Sequence, residues 1–228
     1  MTEPAVPALS IIIPVLNESE CLQASLRALQ PLRQQGCEVI VVDGGSRDDS
    51  VAIAQAWADV TLPSPAGRAL QMNAGAKVAQ GDYLLFLHAD TQLPAALSLT
   101  QLLHSQPSWG FFKLRLNSRK SLLPMVQALM NLRSSLTAVA TGDQAIFVRR
   151  QVFIAQGGYP AIPLMEDVAL CKQLRRLARP LVVADPVLSS SRRWLQHGVL
   201  KTIMLMWLLR LGYFLKVSPQ RLHSLYYG

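Results

Sequence analysis

The segment LSIIIPVLNE, residues 9–18, contains the first of two apolar runs that decide the fold. Residues 9–14 form a short, β-branched apolar run that ends at a proline, which predicts a buried strand. The second run, EVIVVD over residues 38–43, has the same character and is followed by two glycines. Because both predicted strands are apolar on both faces, they indicate a parallel sheet that is covered by helices on each side.

The rest of the chain alternates helices and strands around these two runs. This order predicts an α/β fold with a mostly parallel sheet flanked by helices, in one domain over residues 1–195. A helical C-terminal extension is predicted over residues 196–228, either packed on the domain or placed at a membrane or dimer interface. The predicted helices cover 18–35, 50–58, 68–79, 122–140 and 166–178, and the further predicted strands cover 60–62, 83–87, 111–116, 144–148 and 180–184.

Polar residues directly follow three of the predicted strands. Asn17 and Glu18 come after the first strand, Asp43 ends the second, and Asp90 follows the strand YLLFL. Ligands of open α/β sheets bind beyond the carboxyl ends of the strands. These side chains are therefore expected to meet at one edge of the sheet.

Three of these polar positions allow both a functional and a structural interpretation. Asp43, which precedes two glycines, can accept hydrogen bonds from a ribose or a base edge, or it can simply hold a turn. Asp90 can supply a carboxylate oxygen to a divalent ion that bridges two phosphates. His88 shares the side of the strand end with Asp90 and is either a ligand contact or a structural histidine.

The adjacent acids Glu166 and Asp167 are two of only four acidic residues after residue 110. One of them can act as a general base on an acceptor hydroxyl. They also stand at the start of a predicted helix, where the helix dipole favours acidic side chains. Spacing alone leaves both roles open.

Charge is divided unevenly along the chain. The 228 residues include 22 basic and 14 acidic side chains, which gives a formal charge of +8. Residues 1–110 contain 5 basic and 10 acidic residues, whereas residues 111–228 contain 17 and 4. The basic half favours an anionic partner such as a phosphorylated substrate or an anionic lipid. Nucleic acid is not expected, because the sequence has no aromatic platform and no basic recognition helix.

The cysteines and the apolar segments indicate the cellular compartment in which the protein is expected. Cys21, Cys37 and Cys171 are far apart and odd in number, which favours a reducing compartment over a disulfide framework. The sequence shows no signal peptide and no uncharged apolar run of about 20 residues. These features predict a cytoplasmic protein, peripheral at the inner face of the cytoplasmic membrane if its tail binds lipid.

The C-terminal tail is densely apolar and is interrupted by basic residues. Trp207 and Phe214 suit a membrane interface, and Lys201, Arg210 and Lys216 suit anionic headgroups. Packing on the domain and a homodimer interface are the alternatives, and the sequence does not separate them. The histidines, His223 among them, show no zinc-ligand spacing.

Taken together and in this order, the motifs resemble those of family 2 glycosyltransferases, which have the Rossmann-like GT-A fold. The resemblance covers roughly residues 8–195 and is nearest to a small bacterial branch described as radical-SAM/selenodomain-associated transferases. The motifs are IIIPVLNE (11–18), VVDGGSRDDS (41–50), GRALQMNAGAKVAQGDYLLFLHAD (67–90), GDQAIFVRR (142–150), GGYP and MEDVAL (within 157–170) and RRW (192–194).

The resemblance implies a binding site for a nucleotide-sugar donor, a UDP- or GDP-sugar. Pro14, Asn17 and Glu18 would line the nucleotide site, with Glu18 near the uracil or ribose. Asp43 would contact the base or ribose, and Arg68 would approach the nucleotide or its phosphates.

The resemblance also implies the catalytic residues. Asp90 would be the metal-binding acid of the DxD motif, for Mn²⁺ or Mg²⁺, and Asp167 would be the catalytic base with Glu166 as its partner. Arg193 and Trp194 would lie near the diphosphate and the acceptor. The implied reaction is an inverting, single-displacement transfer of a hexosyl group to a hydroxyl of an acceptor, for which a lipid or a phosphorylated small molecule is a candidate.

Two positions depart from the family pattern. His88, an expected donor contact, replaces the first acid of the DxD motif, and Ser190 replaces the glutamine of the QxxRW motif. Because QxxRW belongs chiefly to processive synthases with transmembrane helices, a processive polymerase is not expected here. Two other function classes stay open: a sugar nucleotidyltransferase, disfavoured because no Gly-rich loop follows the first strand, and a catalytically silent, membrane-associated nucleotide-binding scaffold.

Overall fold

The computed structural model describes residues 7–118 and 122–227, without the side chain of Arg193. The strands are β1 (Leu9–Val15), β2 (Glu38–Asp43), β3 (Val60–Pro63), β4 (Tyr83–Phe86), β5 (Thr91–Gln92), β6 (Trp109–Leu116), β7 (Phe147–Arg149) and β8 (Leu181–Ser189). The helices are α1 (Ser19–Gln34), α2 (Ser50–Trp57), α3 (Arg68–Val78), α4 (Leu99–Leu103), α5 (Leu123–Thr137), α6 (Arg150–Ala155), α7 (Glu166–Leu177), α8 (Arg192–His197), α9 (Val199–Phe214) and α10 (Pro219–Tyr227).

The described strands form one sheet in the order β3-β2-β1-β4-β7-β6-β8-β5. The pairs β1–β2, β1–β4, β2–β3 and β6–β8 are parallel, and the pairs involving β7 or β5 are antiparallel. The predicted α/β class with a mostly parallel sheet is therefore confirmed. Val15 is paired with Asp43, so β1 and β2 end at the same level. The loops that follow them open at a common edge.

Both faces of the sheet are buried, as the two apolar runs predict. Ile11 and Ile13 belong to the core cluster that includes Leu22 and Leu26 of α1, whereas Ile12 belongs to the cluster on the other face, with α3 and α7. The alternation follows from the two-residue period of a strand. The apolar side chains buried on each face of the sheet stabilise the domain, because they are removed from water.

Helix α3 lies very close to the sheet because of a single glycine. A Cβ atom placed on Gly75 would stand 2.5 Å from Cγ2 of Ile12 and 3.0 Å from Cγ2 of Val42. Atoms cannot approach this closely, so a larger side chain would push α3 away from β1 and β2. Gly75 thus allows α3 to pack close to β1 and β2. The first turn of α3 lies at the edge of the sheet where these strands end.

Two predicted strands differ from the observed ones in their bounds. The strand predicted over 144–148 begins only at Phe147, because Ala145 has a left-handed backbone with φ of 45°. The strand predicted over 180–184 continues to Ser189. Asp185 and Pro186 lie where the pairing with β6 shifts register, so the proline interrupts the ladder locally without ending the strand.

The C-terminal residues form α8, α9 and α10, and they pack on the rest of the chain. Leu209 of α9 and Leu222 of α10 are buried in the same cluster as Leu174 of α7. In the described part of the chain, no helix is both long enough and apolar enough to cross a membrane.

Candidate functional site at the carboxyl edge of the sheet

A cavity of about 930 Å³ opens at the carboxyl ends of β1 and β4. Its walls come from the β1–α1 junction, the start of α3, the segment after β4, the end of β8, and α10. Six of the predicted site residues line it: Pro14, Glu18, Arg68, His88, Asp90 and Trp194. The prediction that polar side chains lie together at one edge of the sheet is therefore confirmed for Glu18, after β1, and for His88 and Asp90, after β4.

Asp43 and Asn17 do not line this cavity but tie together the loops that frame it. The buried carboxylate of Asp43 accepts hydrogen bonds from the backbone N–H groups of Gly45, at 2.9 Å, and Ser46, at 3.1 Å. The backbone N–H of Asn17 donates to Oγ of Ser46 at 2.9 Å, and Oδ1 of Asn17 accepts from the N–H of Arg47 at 2.8 Å. Asp43 thus holds the turn after β2, and its contact with a base or ribose stays a prediction.

Gln71, a residue that the sequence analysis missed, joins the ends of β1 and β2. Its side-chain N–H₂ group donates to the carbonyls of Val15 and Val42, both at 2.8 Å. Gln71 also lines the cavity although it is almost fully buried. The available signal was a glutamine on the inward face of a predicted helix, where a buried amide needs hydrogen-bond partners.

Glu18 and Trp194 lie on one wall, next to Arg192. Nη2 of Arg192 is 3.7 Å from Oε2 of Glu18, and Nη1 is 3.3 Å from Oε2 of Glu20. Trp194 packs against the core cluster that contains α1. The predicted contact Arg193 has its side chain outside the described part of the structure. Its neighbour Arg192, not singled out from the sequence, is a cation that the cavity wall does present.

His88 and Asp90 stand on the wall formed by the segment after β4. Nδ1 of His88 is 3.2 Å from Oδ1 of Asp143, a second carboxylate of the cavity that the sequence analysis did not single out. A Cβ atom on Gly142 would stand 2.4 Å from Nε2 of His88, so the backbone there packs directly on the imidazole ring.

The side chains on this wall include a carboxylate that could ligate a metal ion. Hard divalent ions prefer carboxylate and phosphate oxygens, and Asp90 presents a carboxylate to the cavity. Among the described residues, no group of three or more His, Cys, Asp or Glu side chains is arranged to hold a metal ion. The carboxylate of Asp90 fits a hard divalent ion by its chemistry and would be the protein's ligand for it.

Glu166 and Asp167 begin α7, directly after Met165, whose backbone is left-handed with φ of 69°. The carboxylate of Asp167 accepts hydrogen bonds from the N–H groups of Gly142, at 2.9 Å, and Val168, at 2.6 Å. Burial raises the pKa of Asp167, while these two N–H donors oppose the rise. A carboxylate with a raised pKa is a better proton acceptor.

Glu166 faces a cation of the cavity. Its Oε1 is 4.0 Å from Nη1 of Arg68, which lines the cavity and is 41% exposed at its side chain. Burial of Glu166, together with the neighbouring charge of Asp167, raises the pKa of Glu166 to about 7, although Arg68 opposes the rise. Glu166 is thus buried and Asp167 partly buried, the two have unlike partners, and neither lines the cavity itself.

The turn Gly142–Asp143 connects the two acidic walls. The N–H of Gly142 holds Asp167, and the next carboxylate, Asp143, contacts His88 two residues before Asp90. One turn therefore positions both the segment proposed from the sequence for metal binding and the segment proposed for proton transfer.

The last helix forms a wall that the sequence did not reveal. His223, Tyr226 and Tyr227 of α10 line the cavity, and Nη2 of Arg68 donates a hydrogen bond to the phenolic oxygen of Tyr227 at 3.0 Å. The contact joins residues 159 positions apart, which no local pattern could indicate.

Comparison with known proteins gives the fold and sequence a family context. Residues 10–106 match the sequence profile of Glycosyl transferase family 2. A PGL/p-HBAD biosynthesis glycosyltransferase of Mycobacterium bovis (strain BCG / Pasteur 1173P2) is 35% identical over 105 residues, which cover 43% of this chain and 41% of that protein. The chain therefore spans well under half the length of the curated relatives that it matches.

Two solved structures share the fold at lower identity. S. aureus TarS 1-349 in complex with UDP has a TM-score of 0.63 and 19% identity, and the match covers 80% of this chain and 60% of that one. The mannosyltransferase PcManGT of Pyrobaculum calidifontis, in complex with GDP-Man and Mn²⁺, has a TM-score of 0.59 and 19% identity, with 81% and 56% covered. Residues 10–106 of this chain are therefore similar to glycosyl transferase family 2, and the described chain shares the GT-A fold of these structures.

Proposed function

We propose that this protein transfers a sugar from a nucleotide-sugar donor to a hydroxyl group of an acceptor, with inversion at the anomeric carbon. The observation that carries the proposal is the turn Gly142–Asp143, which links Asp167 to the cavity wall of His88 and Asp90. A displacement at an anomeric carbon needs a base on one side of the sugar and stabilisation of the leaving diphosphate on the other. Asp167 would supply the base, and the wall of His88 and Asp90 would face the leaving diphosphate.

A nucleoside diphosphate is the donor's leaving group in this proposal. Structures with the same fold hold UDP and GDP-Man, which supports a UDP- or GDP-sugar here. Arg68 and Arg192, both on the cavity wall, are the described cations that would face the phosphates. Each is also paired with an acid, Glu166 and Glu18 respectively, so the guanidinium groups are held in place before a ligand binds.

Asp167 is the proposed general base. Its ionised carboxylate takes the proton of the acceptor hydroxyl while the hydroxyl oxygen bonds to the anomeric carbon. The bond between that carbon and the phosphate oxygen breaks, and its electron pair leaves with the nucleoside diphosphate. The N–H groups of Gly142 and Val168 hold the carboxylate in one orientation, and Arg68 favours its ionised form.

Asp90 is the proposed protein ligand for a divalent ion, Mn²⁺ or Mg²⁺. When bound, such an ion would neutralise charge that develops on the diphosphate. His88, held by Asp143, is proposed to contact the donor beside it. A homologous fold with Mn²⁺ bound supports this choice of ion.

The experiment that tests the proposal is a donor screen. UDP- and GDP-sugars are each incubated with the purified chain and Mn²⁺ or Mg²⁺, and both binding and slow donor hydrolysis are measured. We expect at least one nucleotide class to bind and to be hydrolysed. Absence of binding and turnover with every donor would overturn the proposal and favour a silent scaffold.

The narrower assignments are also proposals. The chain's membership of the radical-SAM/selenodomain-associated branch rests on its motifs, and a cytoplasmic location is supported by its three free cysteines. We propose that the acceptor binds against α10, because His223, Tyr226 and Tyr227 line a part of the cavity wall that carries no proposed donor contact.

A further inference from the structure

We propose that the exposed face of α9 is a docking surface for an anionic lipid bilayer. This surface, called here the α9 stripe, is a row of large apolar side chains on one side of a 16-residue helix. Met204 is 73% exposed, Trp207 74% and Phe214 75%. The other exposed apolar members are Leu200, Leu208, Leu211 and the following Leu215.

The spacing of the α9 stripe shows that it is a continuous face. Its members lie four, three or one residues apart, so they fall on adjacent turns of one side of the helix. The opposite side is buried against the domain through Thr202 and Leu209. The helix thus uses one side for the core and presents another apolar side outward. Monomeric soluble proteins rarely expose contiguous apolar patches of this kind.

The positive charge of the C-terminal segment favours an anionic lipid bilayer as the partner of the α9 stripe. The sequence contains no Asp or Glu after Asp185, whereas residues 186–228 contain six Lys and Arg residues. Lys201 follows Leu200, the first residue of the α9 stripe, and Lys216 follows Leu215, the last one, and both lysines are exposed. A basic, apolar helix rich in aromatic side chains is what binds the headgroup region of an anionic membrane.

A second copy of the chain is less well matched to the same face. A symmetric dimer would bring two identical α9 stripes together. Such a dimer would bring the basic residues of both copies close together. Residues 186–228 contain no Asp or Glu that could form ion pairs with them. Like charges across an interface disfavour association, whereas anionic headgroups would neutralise them.

The helix would lie in the plane of the interface and would not cross the bilayer. A spanning helix needs about 20 apolar residues, and α9 has 16 and contains cations. Its other side is occupied by the domain, so only the stripe can enter the headgroup region.

Docking would also place the cavity close to the lipid. After α9 the chain turns at Lys216, which has φ of 63°, into α10. Leu222 of α10 packs into the core beside Leu209 of α9, and His223 and Tyr227 of α10 line the cavity. The stripe and the cavity wall are therefore parts of one helical hairpin.

The test is flotation of the full chain with vesicles of phosphatidylcholine alone or with phosphatidylglycerol added. We expect the protein to float with the anionic vesicles at low salt and to be released by high salt. The double variant Trp207→Glu, Phe214→Glu should reduce the partition coefficient at least about tenfold. Ile154→Glu, which makes a matched change at a 59% exposed apolar residue of α6, should leave it unchanged.

Nucleotide binding and the circular dichroism spectrum report whether each variant is folded, and neither should change. The proposal is overturned if the folded wild-type chain stays unbound with anionic vesicles at low salt. It is equally overturned if the folded double variant floats as well as the wild type. A third contrary result is a wild-type dimer that the double variant converts to a monomer while neither protein floats, because the stripe would then be a dimer interface.

Discussion

The phenolic oxygen of Tyr227, the last described residue, lies 3.0 Å from Nη2 of Arg68, the first residue of α3. The same guanidinium lies 4.0 Å from Glu166 through its other terminal nitrogen. A residue of the final helix therefore helps to orient a cation that faces one of the two proposed catalytic acids. The C-terminal helices are part of the site as well as of the core.

Removal of the Tyr227 hydroxyl tests this orientation. Tyr227→Phe keeps the ring and deletes one hydrogen bond to Arg68, so we expect kcat/KM to fall about two- to tenfold, the range expected for one hydrogen bond. Steady-state donor turnover measures the effect. Tyr213→Phe, which removes a phenol from α9 outside the cavity lining, is the control and should leave turnover unchanged. Equal losses in both variants would contradict the orienting role.

Glu166 gives the protein a pH-dependent stability. Its pKa is raised from 4.5 to about 7 in the folded chain, so the folded state binds the proton more tightly than the unfolded state. The associated stability is present below pH 4.5 and is lost as the pH rises toward 7. Glu166→Gln mimics the protonated form. Its melting temperature should therefore exceed that of the wild type by more at pH 8 than at pH 5.

Thermal unfolding at several pH values measures this difference. Asp185→Asn, at an exposed acid of β8, controls for the general effect of removing a negative charge. A constant gap between the Glu166→Gln variant and the wild type from pH 5 to pH 8 would show that Glu166 does not carry the titration.

Metal removal tests the role of Asp90. We expect chelation to weaken binding of UDP or GDP, whichever the wild type binds, and Mn²⁺ to restore it, because an ion held by Asp90 would offset the negative charge of the diphosphate. Asp90→Asn should lose about tenfold or more of the Mn²⁺-dependent gain and bind like the wild type without metal. Calorimetric titration with that nucleotide gives both values. Undiminished stimulation of the Asn variant by Mn²⁺ would place the metal elsewhere.

Gly142 is expected to tolerate no side chain. The added Cβ of Gly142→Ala would stand 2.4 Å from Nε2 of His88, and the shift needed to relieve it would disturb the N–H bond to Asp167. Overpacking of this kind costs about 1–3 kcal/mol of unfolding free energy. Chemical denaturation measures the cost. Gly157→Ala provides a contrast, because its Cβ meets no atom within 4 Å and only its backbone, with φ of 78°, is strained. If Gly142→Ala lost no more unfolding free energy than Gly157→Ala, the close packing of Gly142 on His88 would be contradicted.

Much of the fold follows from local patterns. The apolar runs before Pro14 and Asp43 predicted two buried parallel strands, and these strands frame the cavity edge. The order of motifs predicted the positions of Arg68, His88 and Asp90 on its walls. The strands and the residues at their ends depend on side-chain period, which a sequence displays directly, whereas the position of Arg68 was implied by the family resemblance.

Other features depend on contacts between distant segments. The N–H groups of Gly45 and Ser46 bind the carboxylate of Asp43, a contact that the sequence pattern alone did not fix. The wall formed by α10 was not predicted, because an apolar tail can cover several surfaces equally well. Tyr227 meets Arg68 only because α9 and α10 fold back on α7.

The most direct test of the proposed mechanism is the single-turnover rate of Asp167→Asn with its best donor and acceptor. Asparagine keeps the size of the side chain but cannot accept the acceptor's proton, so transfer should fall about 10²- to 10⁴-fold. Donor affinity, measured by titration, should change far less than the transfer rate, because Asp167 does not line the cavity proposed to hold the donor. Retention of most of the transfer rate, with donor binding intact, would contradict the assignment of Asp167 as the base.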